Sequence, residues 1–172
     1  MNGSPIRTSA GLVRCTWLDK IELQGPGVAN DLTPPDGCRS WRLGRTRVLL
    51  TGKSPLNDAA ETWLKAFAPG SLYTSAVTSA YADFLLIGPR SRDILSKLTS
   101  MNVSDRALPN GSCGQASLAH THCIVLRDDH GGLPAVHLLV ARDYGQSVFE
   151  ALLHAGEEFH LASIDQSTVE AL

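Results

Sequence analysis

Four short segments carry the residue types that chemistry needs. His120-Thr121-His122-Cys123 puts two imidazoles and a thiol within four residues, and alternate strand positions project His120 and His122 to one side with Cys123 on the other. Imidazole and thiolate suit zinc, but a site of that kind needs a second pair of ligands at matching spacing, and the sequence has none. The segment is read as satisfied or solvent-facing histidines. Asp128-Asp129-His130-Gly131-Gly132 resembles an acidic turn that activates water or holds a cation, yet a tight hairpin selects the same Asp and Gly for conformational reasons.

Asn110-Gly111-Ser112-Cys113-Gly114 sets a thiol among small residues. A nucleophilic cysteine needs a nearby base and an electropositive setting, which a strand after a turn does not supply. Gly25-Pro26-Gly27 lacks the third glycine of a dinucleotide fingerprint, and neither a phosphate-binding GxxxxGK[ST] loop nor a GxSxG elbow occurs. No residue is therefore assigned a catalytic, cofactor-binding or metal-binding role.

The elements that would position such groups are announced by a phrase that occurs twice. Ile21 to Leu32 reads IELQGPGVANDL and Phe84 to Leu95 reads FLLIGPRSRDIL. Each is an apolar run, a Gly-Pro corner, and a polar stretch closing on Leu: a strand turning sharply into a helix, with proline at the first helical position. Another apolar run and an amphipathic helix follow each copy, Arg47-Val48-Leu49-Leu50 with a helix from Ser54, and His137-Leu138-Leu139-Val140 with a helix from Asp143. Two similar βαβ-like halves sharing one core are expected.

Strands are expected at Leu12 to Thr16, Lys20 to Gln24, Trp41 to Thr51, Tyr73 to Thr78, Ala82 to Ile87, Gln115 to Arg127 and Pro134 to Ala141. Leu56, Ala60, Trp63, Leu64 and Phe67 form one helical stripe, Ile94, Leu95 and Leu98 a second, and Val148, Phe149, Leu152 and Leu153 a third. Strands, hairpins and helices in this order read as α+β.

At 172 residues, 43% hydrophobic and 19% charged, the chain is expected to form a single folded domain, residues 1–172 with a core over about 12–163. A net charge of -2 gives no global attraction for nucleic acid, and no apolar run is long enough to cross a bilayer. The first residues lack the apolar centre of a signal peptide, so a cytoplasmic location is expected. Arg39, Arg42, Arg45 and Arg47 alternate along an expected strand, with Arg45 and Arg47 on one face, and read as a solvated surface. The four cysteines, Cys15, Cys38, Cys113 and Cys123, are expected to be reduced and mostly buried.

From Tyr81 onward the sequence resembles the folate-binding aminomethyltransferase fold family, which includes the glycine-cleavage T-protein. The phrases that carry the resemblance are AYADFLLIGPRSRDILSKLTSMNVSDRALPNGSC, QASLAHTHCIVLRDD and LLVARDYGQSVFEALLHAGEEFHLAS. Within that family it is most similar to the gamma subunits of heterotetrameric sarcosine oxidases, through Phe84 to Ile87, Gly88-Pro89, Leu108 to Cys113 and Ala116 to His120. The likeness implies an aminomethyltransferase-like fold of two pseudo-repeated strand-helix halves, with antiparallel sheets packed by helices.

It further implies a non-catalytic subunit of an oxidoreductase complex that oxidatively demethylates sarcosine or a related N-methyl amino acid. FAD, FMN, NAD and tetrahydrofolate would then belong to larger flavin- and folate-binding partner subunits, with none in this chain. Two departures point the same way. The folate-binding "Gly-Glu-x-Gly-x-Glu" phrase stands here as Gly132-Leu133-Pro134-Ala135-Val136-His137, and the "Gly-Gly-x-x-Asp-Asp" phrase is missing from the first half. Losing acceptors for a pterin's donor edge costs about 1 to 3 kcal/mol for each group left unpaired.

Two other readings stay open. A free-standing tetrahydrofolate-dependent aminomethyl or methyl transferase would need an acid from Asp83, Asp105, Asp128 or Asp129. A module serving RNA modification or iron-sulfur assembly would use Cys113 as a reactive thiol.

Overall fold

The computed structural model describes residues 5–26, 28, 33–56, 62–65, 70 and 72–172. Its contacts divide into two compact units, Thr16–Ala80, and Met1–Cys15 together with Tyr81–Leu172.

The larger unit is built on a six-stranded sheet in the order β10-β1-β6-β9-β8-β7. Its strands are β1 (Gly11–Arg14), β6 (Tyr81–Ile87), β7 (Cys113–Leu118), β8 (Thr121–Arg127), β9 (Ala135–Ala141) and β10 (Ala162–Ser163). β1 and β10 run parallel and every other pairing is antiparallel. On β6, β8 and β9 five or six consecutive residues are buried, so both sheet faces are covered. That burial explains why these strands read as unbroken apolar runs rather than as alternating patterns.

Helices α1 (Ser91–Ser96) and α2 (Gly145–Gly156) place Ile94, Leu95, Val148 and Leu152 in one core with Leu12, Phe84, Leu86, Val125, Leu138 and Val140. Burying a side chain of this size stabilises the fold by about 1.5–3 kcal/mol. Glycine is required where α2 meets β6, since a Cβ on Gly145 would lie 2.8 Å from Ala82 Cβ. A short C-terminal helix, α3 (Gln166–Glu170), is capped by Asp165, whose carboxylate accepts the Thr168 N–H at 2.9 Å.

The smaller unit is a four-stranded antiparallel sheet in the order β3-β4-β2-β5. Its strands are β2 (Leu18–Gln24), β3 (Cys38–Gly44), β4 (Arg47–Lys53) and β5 (Tyr73–Ala76). Leu23, Val28 and Val48 form its core with Ile21, Trp63, Leu64 and Leu72 against them.

The sequence repeat survives as topology, in antiparallel rather than βαβ form. In each copy the strand before the corner (β2 or β6) pairs antiparallel with the later apolar run (β4 or β9), and a further strand (β3 or β8) hairpins onto that run. Gly25 and Gly88 both take positive φ, at 149° and 122°. Each donates its N–H to the residue just before the returning strand, Thr46 O at 2.9 Å and Pro134 O at 2.8 Å. The polar stretch after the first corner lies largely outside the described residues.

Several expected elements differ in detail. Trp41 to Thr51 is a hairpin, because the chain turns at Arg45 and Thr46. Arg45 therefore shares no strand face with Arg47, whose guanidinium instead donates to both Glu22 carboxylate oxygens at 2.8 and 2.7 Å. Gln115 to Arg127 is also a hairpin, turning at Ala119 and His120, both with positive φ. Ser54 and Pro55 are not helical, and Leu56 N–H donates to Asp19 Oδ2 at 3.0 Å. Residues 62–64 are helical, while Ala60 and Phe67 of the expected stripe lie outside the described residues. Asp143 does not cap α2: it sits in a 3-10 turn, Arg142–Tyr144, and the cap position is Tyr144.

Candidate functional site

One cluster of buried polar groups lies on the larger unit's sheet. β6 turns Phe84 and Leu86 toward the helices, so strand alternation turns Asp83, Leu85 and Ile87 to the opposite face. Cys15, just past β1, extends the ladder by donating its N–H to Asp83 O at 2.8 Å. From β9, His137 Nδ1 stands 3.0 Å from Asp83 Oδ1. Cys15, Asp83 and His137 are 5%, 6% and 8% exposed. Thiol, carboxylate and imidazole offer one atom each, all within 4.8 Å of one another.

In the sequence Asp83 stands only among candidate pterin acids, and Cys15 and His137 share no motif. The partners come from three strands far apart in the chain, and the available signal was a single Asp inside YADFLLI and a single His inside AVHLLVA.

The segments singled out from sequence are arranged differently. His120 is exposed in the β7–β8 turn, His122 is exposed on β8, and Cys123 is fully buried. Burial pushes the Cys123 thiol up to about 12, with the Asp83 charge adding to the rise against a backbone hydrogen bond from Leu139. Burial raises the Cys113 thiol as well, the reverse of what a nucleophile needs. All four cysteines are free thiols, with Cys15 and Cys123 buried and Cys38 and Cys113 half-buried.

The Asp128–Gly132 corner is a tied joint. Arg127, with 4% of its side chain exposed, pairs through Nε and Nη2 with Asp129 and through Nη2 with Asp105 at 3.2 Å. Arg92 meets the other Asp105 oxygen at 2.9 Å. Asp129 also accepts the Ala135 N–H at 3.1 Å, and its own N–H donates to Asn110 Oδ1 at 2.9 Å. Burial alone would raise the Asp129 carboxyl, but the Arg127 and Ala135 hydrogen bonds with the Arg127 and Arg92 charges outweigh it and hold it below the usual range. Asp129 thus locks the hairpin and is not poised to activate water.

A cleft of about 450 Å³ beside α1 is lined by Arg92, Asp93 and Asn102 among others. Arg92 is held by Asp105 and Asp93 by Arg90 at 3.0 Å, so its charged lining is already engaged. Among the described residues no helix is long and apolar enough to cross a membrane.

Comparison with known proteins agrees with this architecture. The family described as GCVT N-terminal domain matches residues 36–172. The sarcosine oxidase subunit alpha of Rhizobium meliloti (strain 1021) is 30% identical, over 97% of this chain and 20% of that protein. The chain spans about a fifth of the length of the alpha subunits it matches. Among solved structures, a chain of the heterotetrameric sarcosine oxidase from Corynebacterium sp. U-96 in complex with pyrrole 2-carboxylate superposes with a TM-score of 0.75 at 16% identity, covering 92% of this chain and 89% of that one. The glycine cleavage system aminomethyltransferase T from Bartonella henselae gives 0.65 at 16% identity, covering 92% of this chain and 49% of the other. The fold is aminomethyltransferase-like, α+β with antiparallel sheets, as the sequence resemblance implied.

Proposed function

The chain belongs to the GCVT N-terminal domain family, and on that premise we propose that it is a non-catalytic, gamma-type subunit of a heterotetrameric sarcosine-oxidase-like flavoenzyme complex. In that complex, larger partner subunits carry FAD, FMN, NAD and tetrahydrofolate, oxidise the N-methyl group of sarcosine or a related N-methyl amino acid, and pass on the one-carbon unit. This chain supplies structure and interface, helping to exclude water from the path of the reactive product. The complex is cytoplasmic.

The observation that carries the reading is the fold match that runs through 89% of one chain of a heterotetrameric sarcosine oxidase. The chemistry of the hairpin supports it. Where folate-binding relatives are expected to place two acids, this chain has apolar Leu133 and the His137 ring, whose Nδ1 is engaged with Asp83. Neither position offers a pterin's donor edge a carboxylate, and the nearby Asp83 carboxylate is buried and engaged with His137, so these residues do not fit the group.

The test is to tag the chain in its native host, purify it gently, and record co-purifying proteins and the flavin absorbance of the eluate. A yellow, stoichiometric complex with larger subunits is expected. A colourless single chain that binds tetrahydrofolate in titration would overturn the subunit reading in favour of a free-standing transferase.

A further inference from the structure

We propose that Cys15, Asp83 and His137 form a binding site for a divalent transition-metal ion of the zinc class. The site is built from this chain's own residues and goes beyond the subunit reading, which assigns the chain no ligand.

The geometry is close to what zinc requires. Tetrahedral ligands at about 2.0–2.3 Å from the ion stand about 3.3–3.8 Å from one another. Asp83 Oδ1 and His137 Nδ1 are 3.0 Å apart, and the three donor atoms all fall within 4.8 Å. Binding then requires side-chain rotation to bring the donors to that spacing. The backbone needs no change, because the sheet fixes all three positions: Cys15 N–H bonds Asp83 O at 2.8 Å, Val13 pairs with Leu85, and Leu85 pairs with His137.

The donor chemistry selects the ion. A thiolate, an imidazole and a single carboxylate favour zinc or cobalt over magnesium or calcium, which take oxygen shells. Three protein ligands also match zinc sites that keep one position for a small exogenous ligand. Charge balances too. Cys15 loses its proton to solvent as the sulfur–metal bond forms, so one thiolate and one carboxylate neutralise the dication with His137 neutral. Inside a buried setting that neutrality matters, since uncompensated charge there is costly.

The sequence-derived alternative at His120, His122 and Cys123 lacks this convergence, with two exposed rings and a fully buried thiol that strand alternation turns away from His122.

The experiment is to titrate the full chain with Co²⁺ and then displace it with Zn²⁺. One equivalent should give tetrahedral visible bands and a near-ultraviolet thiolate-to-cobalt charge-transfer band. Cys15→Ser should abolish the charge-transfer band and weaken zinc at least tenfold, and Asp83→Asn should weaken zinc similarly. Cys38→Ser and Cys113→Ser should change neither. Absence of the band in the unmodified chain, or its survival in Cys15→Ser, overturns the proposal. X-ray absorption of the zinc-loaded unmodified chain needs no variant to fold: one sulfur in the first shell is expected, and none or two refutes the site.

Discussion

His137 and Asp83 meet diagonally across β9 and β6. The register sets His137 opposite Leu85 and Asp83 opposite Leu139, yet Nδ1 reaches Oδ1 at 3.0 Å in a setting where both residues are under a tenth exposed. Breaking such a pair from either side is asymmetric. His137→Leu takes a hydrogen-bond partner from a buried carboxylate, whereas Asp83→Leu takes one from an imidazole ring, the group cheaper to leave underpaired, so the first should cost about 3 kcal/mol and the second about 1–2 kcal/mol. The double variant should cost at least about 1 kcal/mol less than the sum. Urea unfolding in the presence of a chelator keeps bound metal out of the comparison, and strictly additive losses would show that the contact contributes nothing.

The second Gly-Pro corner depends on a missing side chain. Gly88 has φ of 122°, and a Cβ there would lie 2.6 Å from Ser9 O and 2.8 Å from Ile6 O, both backbone atoms that cannot step aside. Gly37 is also at positive φ, 77°, but a Cβ there meets nothing within 4 Å. Gly37→Ala should cost about 1 kcal/mol from backbone strain alone, and Gly88→Ala at least about 1 kcal/mol more. Equal shifts in unfolding midpoint would mean that the corner relaxes freely.

These corners also show what the sequence could and could not reveal. Gly25 and Gly88 were legible because glycine before proline has few other uses, and β6, β8 and β9 because strands buried on both faces leave long apolar runs. The split of Gln115 to Arg127 into two strands was hidden, because Ala119 and His120 take positive φ without the Gly or Asn that normally marks such a turn. Cys15, Asp83 and His137 were hidden for a different reason. Each is a single polar residue beside an apolar run, and only the pairing of β1 with β6 and β6 with β9 brings them together.

Acid should loosen the β8–β9 corner through Asp129. Its carboxyl is held below the ordinary value of about 3.9 in the folded chain, so the folded state prefers the ionised form. Stability from this group is fully present above about pH 4 and is lost as pH falls through the lowered folded value. Asp129→Asn removes the carboxylate charge that faces Arg127, whose side chain is only 4% exposed, and should cost about 1–3 kcal/mol at pH 7. The variant should also lose part of the acid sensitivity, so its stability deficit relative to the parent shrinks as pH drops from 5 toward 3. Urea midpoints of both proteins across that range decide the matter, and a deficit that stays constant would show that Asp129 acts by shape rather than by charge.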